Sequence, residues 1–581
     1  MEKNNMTFGG MNSERPEEQA AQNMPNQPHA PLPVQQTPNM PQAAQHTQPT
    51  PQPAQNPYHY SYPAQQQRHN YIAVQKLENA FKPEIIDFLF ALVVFVIGYI
   101  FSRRVLFSWN GWGVTVFTTL YILAVTTYLI KKGAFKLSAE TIFWMAVTWL
   151  VGASYSLWVN DGFAPSRRLF LFGSAVYYTM VASGATVMGK TSNYLLIDAI
   201  KALFVIPFRN YFNQYVSFKA LGKGKLRGKI WSVVLGLIIA VILLAIIIPL
   251  LESADAGGFG MITRALIPRF EYNIAVVFYI FISIPVAAYI YGLVSGLAHK
   301  KGTGSIKLEN AQRTVAALRI VHTTTIIIVL GVVCVVYLVF ILSQLPYFFS
   351  AFTGALPEGW RAYSEFARQG FFELCSIAAI NLVLLTLCNI LSKKMRMQSQ
   401  ILRIFNVVLS VITLVLIATA FSKMALYIEV FGLTMPRLLP CIFLVFLAIV
   451  FVALMVLQKK VFSIVRFSVV LGATIVVLLS LSNPDAMVVR YNAQRYQSGT
   501  LSSFDVEIAW RAGVAGVLPA IEVYNFTENE QLKEQLQIYL MWQNRRDAES
   551  NTTSFESARA WRAIKEDGFS RILPPPDRYI R

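Results

Sequence analysis

The chain has 581 residues, of which 55% are hydrophobic and 14% charged, and its formal net charge is +19. Residues 1–70 carry 3 Lys/Arg against 4 Asp/Glu, and residues 483–581 carry 12 against 13, so the whole excess lies in 71–482, among long apolar runs. A nucleic-acid-binding protein would concentrate basic residues on a water-soluble face, and this distribution excludes that class. Basic loops beside apolar runs indicate an integral membrane protein that has the lipid bilayer as its partner.

The first 70 residues are rich in Pro and Gln and poor in branched apolar side chains. Such a segment buries too little apolar surface to offset the entropy of ordering, so we predict a disordered cytoplasmic tail. Its composition favours a solvated spacer; the alternative is a docking tail for a protein partner that recognises proline.

Residues 84–482 alternate apolar runs with short polar connections, which predicts an all-α polytopic transmembrane domain of about eleven helices. A helix needs about 20 apolar residues to cross a hydrocarbon core of roughly 30 Å. The predicted spans lie near 85–101, 111–130, 138–159, 169–188, 230–251, 272–297, 321–342, 371–391, 401–421, 437–457 and 461–481.

From the second span onward, basic loops alternate with loops of balanced charge, such as 252–271 and 343–370. The positive-inside bias then places the N-terminus in the cytoplasm and, for an odd number of spans, the C-terminus outside the cell membrane. Within the basic loop after the fourth span, residues 194–218 are amphipathic. They are predicted to lie along the cytoplasmic interface, broken at Pro207.

Residues 483–581 have mixed polarity and predict a small soluble, extracytoplasmic helical domain. Three helix starts are indicated by capping patterns, at Asp505, at Thr527–Glu530 and at Ser554.

Neither a phosphate-binding loop nor a metal site is supported by the sequence context of the residues that could form it. Gly184–Thr191 fits the phosphate-loop pattern G-x-x-x-x-G-K-[ST], but it follows an apolar span and not the strand of an α/β domain. Four of the six histidines lie in the tail, and all four cysteines lie in apolar segments. The sequence therefore predicts no metal site, no disulfide framework and no cofactor, and an enzyme is not expected.

A stripe of polar residues surrounds the start of the eighth span. Glu365, Gln369 and Glu373 lie at i, i+4 and i+8 on one helical face, and Arg368 can pair with Glu365. Ionisable groups near a span are costly and are therefore candidates for function. The stripe is interpreted as a proton- or substrate-responsive site or, as we favour, as packing between helices, with Glu373 its deepest member.

Other polar or small residues near spans have simpler interpretations. Asp87 and Glu140 are close to span ends and are expected to reach interfacial water. Gly292 and Gly296 form a small-xxx-small pair, which predicts a close helix crossing.

Several phrases of the chain resemble one known family. They read LLESAD from Leu250, QLPYFF from Gln344, YSEFARQGFFEL from Tyr363, YIEVFGLTMPR from Tyr427 and NPDAMVVRYNAQRY from Asn483. In this order, over roughly 200–525, they resemble the bacterial multi-pass membrane family called domain of unknown function 4153, with its 4173 relative. The resemblance implies a protein of the bacterial cytoplasmic membrane and brings no activity, substrate or cofactor. The last phrase supplies a hinge and family motif, comprising Asn483, Pro484, Asp485, Arg490, Tyr491, Asn492 and Tyr496.

The leading functional hypothesis is a non-enzymatic cell-envelope protein, an anchor, scaffold or sensor. Its outer helical domain would bind a partner, and its membrane bundle would relay the bound state. The alternative is a secondary transporter of a small solute or a lipid-linked envelope precursor, with Glu365, Arg368 and Glu373 near its pathway. A second alternative is a membrane transferase that acts on a lipid-linked substrate, for which Asp255 is the evident acidic candidate.

Overall fold

The computed structural model describes residues 81–109, 111–159, 161–220, 274–300, 308–353, 370–394, 396–549 and 554–569, and positions 236, 243, 247 and 251. Within these residues the only β-type pairing is an isolated bridge between Val321 and Ser392. The predicted all-α class is therefore confirmed for the described chain. The predicted tail 1–70 and the predicted span 230–251 lie outside it.

The helices are numbered in chain order. They are α1 (Ile85–Ile100), α2 (Gly111–Lys131), α3 (Ala139–Leu157), α4 (Ala164–Ala182), α5 (Leu195–Ile200), α6 (Ile206–Arg209), α7 (Asn213–Ala220), α8 (Ile274–Ala298), α9 (Leu308–Ala317), α10 (Thr323–Thr353), α11 (Phe371–Leu391), α12 (Gln400–Phe431), α13 (Met435–Leu457), α14 (Ile464–Ser482), α15 (Pro484–Gln497), α16 (Val506–Ala512), α17 (Val517–Phe526), α18 (Glu530–Glu549) and α19 (Phe555–Glu566). Phe101–Leu106 continues α1 as a π-helix, and Lys201–Val205 joins α5 to α6 in the same form.

Eight helices among the described residues are long and apolar enough to cross a membrane. They are Ile85–Leu106, Gly111–Lys131, Val276–Ala298, Thr323–Ser343, Phe371–Leu391, Gln400–Phe431, Met435–Leu457 and Ile464–Ser482. The predicted spans 138–159 and 169–188 correspond to α3 and α4, which are not among these eight helices. Helix α4 also ends before residue 188, since Gly184 adopts φ +66° and turns the chain.

Two groups of helices pack separately in the apolar region. The first bundle consists of α1, α2, α3, α4, α8 and α14, and its core contains Val94, Tyr121, Leu129 and Tyr178. The second bundle consists of α10–α13, and its core contains Leu330, Phe371, Leu409 and Phe451. Helices α13 and α14 connect the two bundles.

The C-terminal helices α15–α19 have a hydrophobic core of their own around Val517, Leu536 and Tyr539. The predicted caps at Asp505 and Ser554 are confirmed, because each side chain accepts a backbone hydrogen bond in the first turn of α16 and α19. The predicted cap at Thr527 is displaced by two residues. Asn529 accepts from the backbone of Gln531 at 3.0 Å and so begins α18.

The segment 194–218, predicted to lie along the cytoplasmic interface, packs against the first bundle. The Gln214 side chain donates to the carbonyl of Ala91 on α1 at 3.1 Å, and the Ser217 hydroxyl lies 2.6 Å from that of Tyr291 on α8. Proline at 207 cannot donate to the carbonyl of Leu203, and the Tyr289 hydroxyl donates to that oxygen instead at 2.9 Å. A partner helix therefore satisfies the backbone where proline interrupts it.

The predicted close crossing at Gly292 and Gly296 is present. A Cβ on Gly292 would lie 2.5 Å from the carbonyl oxygen of Pro207, and one on Gly296 would meet the Asn210 side chain. Only glycine lets α6 approach α8 this closely.

Candidate functional site

A buried polar corner connects α14 to the C-terminal helices. Asn483 ends α14 with φ 52° and ψ 67°, a left-handed conformation that asparagine tolerates better than most residues. Its side-chain oxygen accepts from the backbone of Ala486 at 3.3 Å and caps α15, and Pro484 occupies the first turn, where the missing N–H has no helical partner to lose. The Asn483 amide donates to Glu556 on α19. The predicted hinge is thus a capped corner bonded to a second helix.

Asp485 attaches this corner to the turn between α3 and α4. The residue is 1% exposed, and its Oδ2 accepts from the backbone N–H of Gly162 at 3.0 Å. A Cβ on Gly162 would lie 2.5 Å from Asp485 and 2.9 Å from Met435. Only glycine therefore lets Asp485 come this close to the turn, and the Asp485 carboxylate binds the turn backbone directly.

Glu556 and Arg167 hold the same turn from two other sides. Glu556 accepts from the backbone of Val159 at 2.9 Å. Arg167 on α4 is 1% exposed, donates to the carbonyls of Trp158 at 3.3 Å and Val159 at 2.5 Å, and lies 3.8 Å from the centroid of the Tyr155 ring. Carbonyl acceptors and an aromatic face together stabilise a guanidinium that is shielded from water.

The rest of the family motif attaches α15 to the turn between α12 and α13. Asn492 is fully buried, accepts from Leu433 N–H at 2.8 Å and donates to the Leu433 carbonyl at 2.7 Å. The Tyr496 hydroxyl lies 2.8 Å from that of Thr527. Arg490 and Tyr491 are exposed. The motif therefore divides into inward anchors and an outward pair.

Helices α3 and α14 run side by side and are bonded at both ends. Beside the corner, the Trp158 indole donates to the carbonyl of Leu481 at 2.9 Å. At the opposite end, Arg466 lies 2.6 Å from Glu140 in an ion pair. The two helices thus connect the C-terminal helices to the far end of the first bundle.

Glu140 was expected to reach interfacial water, but it is 9% exposed. The Thr191 hydroxyl donates to its Oε2 at 2.8 Å and in turn accepts from the Trp144 indole and the Tyr177 hydroxyl, both at 3.2 Å. Thr191 is the last residue of the phosphate-loop pattern. In the structure this pattern lies in a loop that follows a helix and not a strand. Its threonine stabilises a buried carboxylate.

Asp87, also expected near water, is fully buried at the same end of the first bundle. Its carboxylate accepts from Tyr128 at 2.6 Å and Lys132 at 2.8 Å, lies 3.1 Å from His299 Nε2, and accepts from the Glu84 backbone at 2.8 Å. These partners come from three segments of the chain. Sequence spacing carried no signal for the cluster, because His299 lies 212 positions after Asp87.

The polar stripe is described at one residue. Glu373 lies in the first turn of α11 with an exposed side chain. Its depth in the membrane stays a prediction. Lys423 on α12 interacts with it electrostatically. Glu365, Arg368 and Gln369 lie outside the described residues. Across the described chain, no three His, Cys, Asp or Glu side chains converge to hold a metal ion.

The long apolar helices and their buried polar contacts define a multi-pass α-helical membrane protein. Residues 89–521 match the family described as Domain of unknown function (DUF4153), and since the match covers most of the chain, the protein belongs to that family. The predicted resemblance is confirmed, and the matched region begins earlier than expected, within α1. Comparison with the curated proteins and with the solved structures gave no match.

Proposed function

We propose that the protein is a non-enzymatic sensor or scaffold of the bacterial cytoplasmic membrane. Its C-terminal helices would bind a partner outside the membrane, and the first bundle would relay the bound state to the cytoplasmic end. The observation that carries this proposal is the corner at Asn483 and Asp485, where α15 and α19 are bonded to the turn between α3 and α4.

The contacts favour relay over simple anchoring. A flexible tether would let the C-terminal helices move without consequence for the bundle. Here Glu556 and Asp485 both bond backbone N–H groups of the α3–α4 turn, so displacement of α19 or α15 pulls on α3. At the other end of α3, in its first turn, Glu140 forms an ion pair with Arg466 on α14. A relay needs an element with two arrangements, and events at either site must shift the equilibrium between them.

The charges support the orientation. Lys132, Lys136 and Lys190 lie at the end of the first bundle opposite the corner, and Lys393 and Lys459 follow the ends of α11 and α13. Basic residues in short loops favour the cytoplasmic side. A reporter enzyme that works only in the cytoplasm should therefore be inactive when fused after Arg581. Activity of that fusion would reverse the proposed orientation.

The relay is tested by hydrogen exchange on the full chain in lipid nanodiscs. Glu556→Ala removes the acceptor of Val159 and Asn483 and should speed exchange in the corner and also around Glu140 and Arg466. Glu507→Ala is the matched control, because Glu507 is an exposed glutamate on α16, 62% accessible and paired with Arg511. Faster exchange confined to residues near the corner would contradict the relay.

A secondary transporter is the second candidate, and one observation favours it. The π-helical segments at Phe101–Leu106 and Lys201–Val205 and the proline inside α8, Pro285, interrupt helices around a cavity of about 370 Å³. Interrupted helices around a central cavity are common in transporters. The apolar lining restricts such a substrate to an apolar molecule or one with an apolar chain, as in a lipid-linked precursor.

A further inference from the structure

The cavity lies between α1, α2, α4, α8 and the segment 195–220 of the first bundle. Its floor is made of buried side chains, namely Phe101, Phe117, Thr118, Tyr121 and Leu171. Its rim is made of residues that are half-buried or exposed, namely Phe172, Phe208, Tyr211, Pro285, Val286 and Tyr289. The cavity therefore opens sideways, between α4 and α8.

Three of the four hydroxyl groups of the wall are already hydrogen-bonded within the protein, and the fourth, that of Tyr211, lies at the rim. Thr118 donates to the carbonyl of Val114 at 2.8 Å, Tyr121 lies 2.7 Å from the Thr179 hydroxyl, and Tyr289 donates to the Leu203 carbonyl. The described lining contains no charged side chain. A polar solute that moved past the rim to the floor would lose its water without gaining hydrogen bonds, which disfavours it.

The depth of the cavity matches the hydrocarbon core. Thr118 lies 13 residues before the end of α2 at Lys131, which corresponds to about 20 Å along the helix. The rim residue Phe208 is 59% exposed on the outer surface of the bundle. At this depth, an outward-facing apolar opening meets lipid chains.

We propose that this cavity binds the acyl chain of a membrane phospholipid, which enters between α4 and α8. Its volume lies within the range of ligand pockets, and its aromatic and aliphatic lining suits a hydrocarbon. The π-helical turn of α1 and Pro285 in α8 break regular packing where the space opens. This inference stands independently of the relay, because none of its residues belongs to the corner.

The test uses the full chain in nanodiscs that contain a phospholipid with a diazirine near the middle of one acyl chain. After irradiation, mass spectrometry maps the labelled residues. Label on the floor residues Phe117 and Tyr121 is expected, since lipid outside the bundle does not reach them. Ala175→Trp adds an indole to the wall and should reduce floor labelling roughly tenfold, which corresponds to about 1.4 kcal/mol.

Gly173→Trp is the matched control on the same helix, because a Cβ there meets no atom within 4 Å; floor labelling should be unchanged. Absence of floor label in the unmodified protein, or equal label in Ala175→Trp, would overturn the proposal.

A photoreactive residue at Phe172 gives a readout that does not depend on the folding of the tryptophan variant. Its cross-linking to residues 221–273 of the chain itself would show that the protein fills the cavity. Stronger floor labelling by an isoprenoid probe than by the phospholipid would also overturn the assignment.

Discussion

The two bundles bury different kinds of polar group. In the described part of the first bundle, the buried polar side chains include the ionisable Asp87, Glu140 and Arg167. In the described second bundle they are neutral, and they include Asn381, Asn406, Thr413 and Gln458. Neutral amides and hydroxyls join helices at small cost, whereas a buried charge is tolerated only while its partners stay in place. We therefore expect the first bundle to tolerate the loss of one buried polar partner less well than the second bundle.

The partners of these groups show the same difference. Asn381 accepts from Tyr337 at 2.9 Å and donates to Thr413 at 3.0 Å, so it links three consecutive described helices of the second bundle. Asp87 instead collects partners from α2 and from the end of α8, and Glu140 collects them from α14 and the loop after α4. Ion pairs between distant segments make the first bundle sensitive to the relative position of its helices.

The largest effect is expected at Asp87. Among the described residues, Asp87→Leu leaves Lys132, whose side chain is 7% exposed, with only the more exposed Glu84 as an acidic partner at 3.0 Å. The free energy of unfolding should fall by roughly 3 kcal/mol, the scale for removal of one partner from a buried charge pair. Denaturant titration in mixed micelles measures this loss. A smaller loss than that of the second-bundle variant below would remove the distinction between the bundles.

A moderate effect is expected at Asn406. This residue exchanges amide hydrogen bonds with Asn389 at 3.1 and 3.3 Å. Asn406→Leu should lower the free energy of unfolding by about 1 kcal/mol, the usual scale for an interhelical hydrogen bond in a membrane. Denaturant titration in mixed micelles measures this loss as well. A loss of several kcal/mol would mean that the amides matter as much as the charges.

A pH effect is expected at Asp198, which lies outside the membrane-spanning helices. Burial raises the pKa of its carboxyl from 3.8 to about 6, although the Val187 N–H and Lys201 oppose the rise. Because the folded state holds this proton more tightly than the unfolded state, stability should decline as pH rises from about 4 to about 6. Asp198→Asn should remove that decline from a stability–pH profile. A variant profile parallel to that of the unmodified protein would assign the dependence to other groups.

The smallest effect is expected at Glu373. Its side chain is exposed in the first turn of α11, so Glu373→Gln and Glu373→Leu should each change the free energy of unfolding by less than about 0.5 kcal/mol. Complementation of a deletion strain separates function from stability. Loss of the cellular phenotype in a stable Glu373→Gln protein would restore the hypothesis of a proton- or ligand-responsive site.

The sequence was most informative where structure depends on local rules. The span predicted at 371–391 coincides with Phe371–Leu391, and the caps at Asp505 and Ser554 follow from side-chain chemistry within one turn. It failed where distant residues determine the outcome. Helix α12 continues past residue 421 to Phe431, where Arg437 donates to the last carbonyl at 2.9 Å and Arg495 to that of Ile428 at 3.0 Å. Burial of Asp87 and Glu140 likewise depends on partners that no local pattern reveals.

The most direct measurement is a double-mutant cycle between the two ends of α3 and α14. It combines Glu556→Ala at the corner with Arg466→Gln at the opposite end, where glutamine removes the charge that pairs with Glu140 but keeps an amide donor. The relay predicts that the two losses of unfolding free energy fail to add by at least about 0.5 kcal/mol, although the residues share no contact. The pair Glu556→Ala and Asn406→Leu, which joins the corner to the second bundle, should be additive. Additivity in both cycles would contradict coupling through the first bundle.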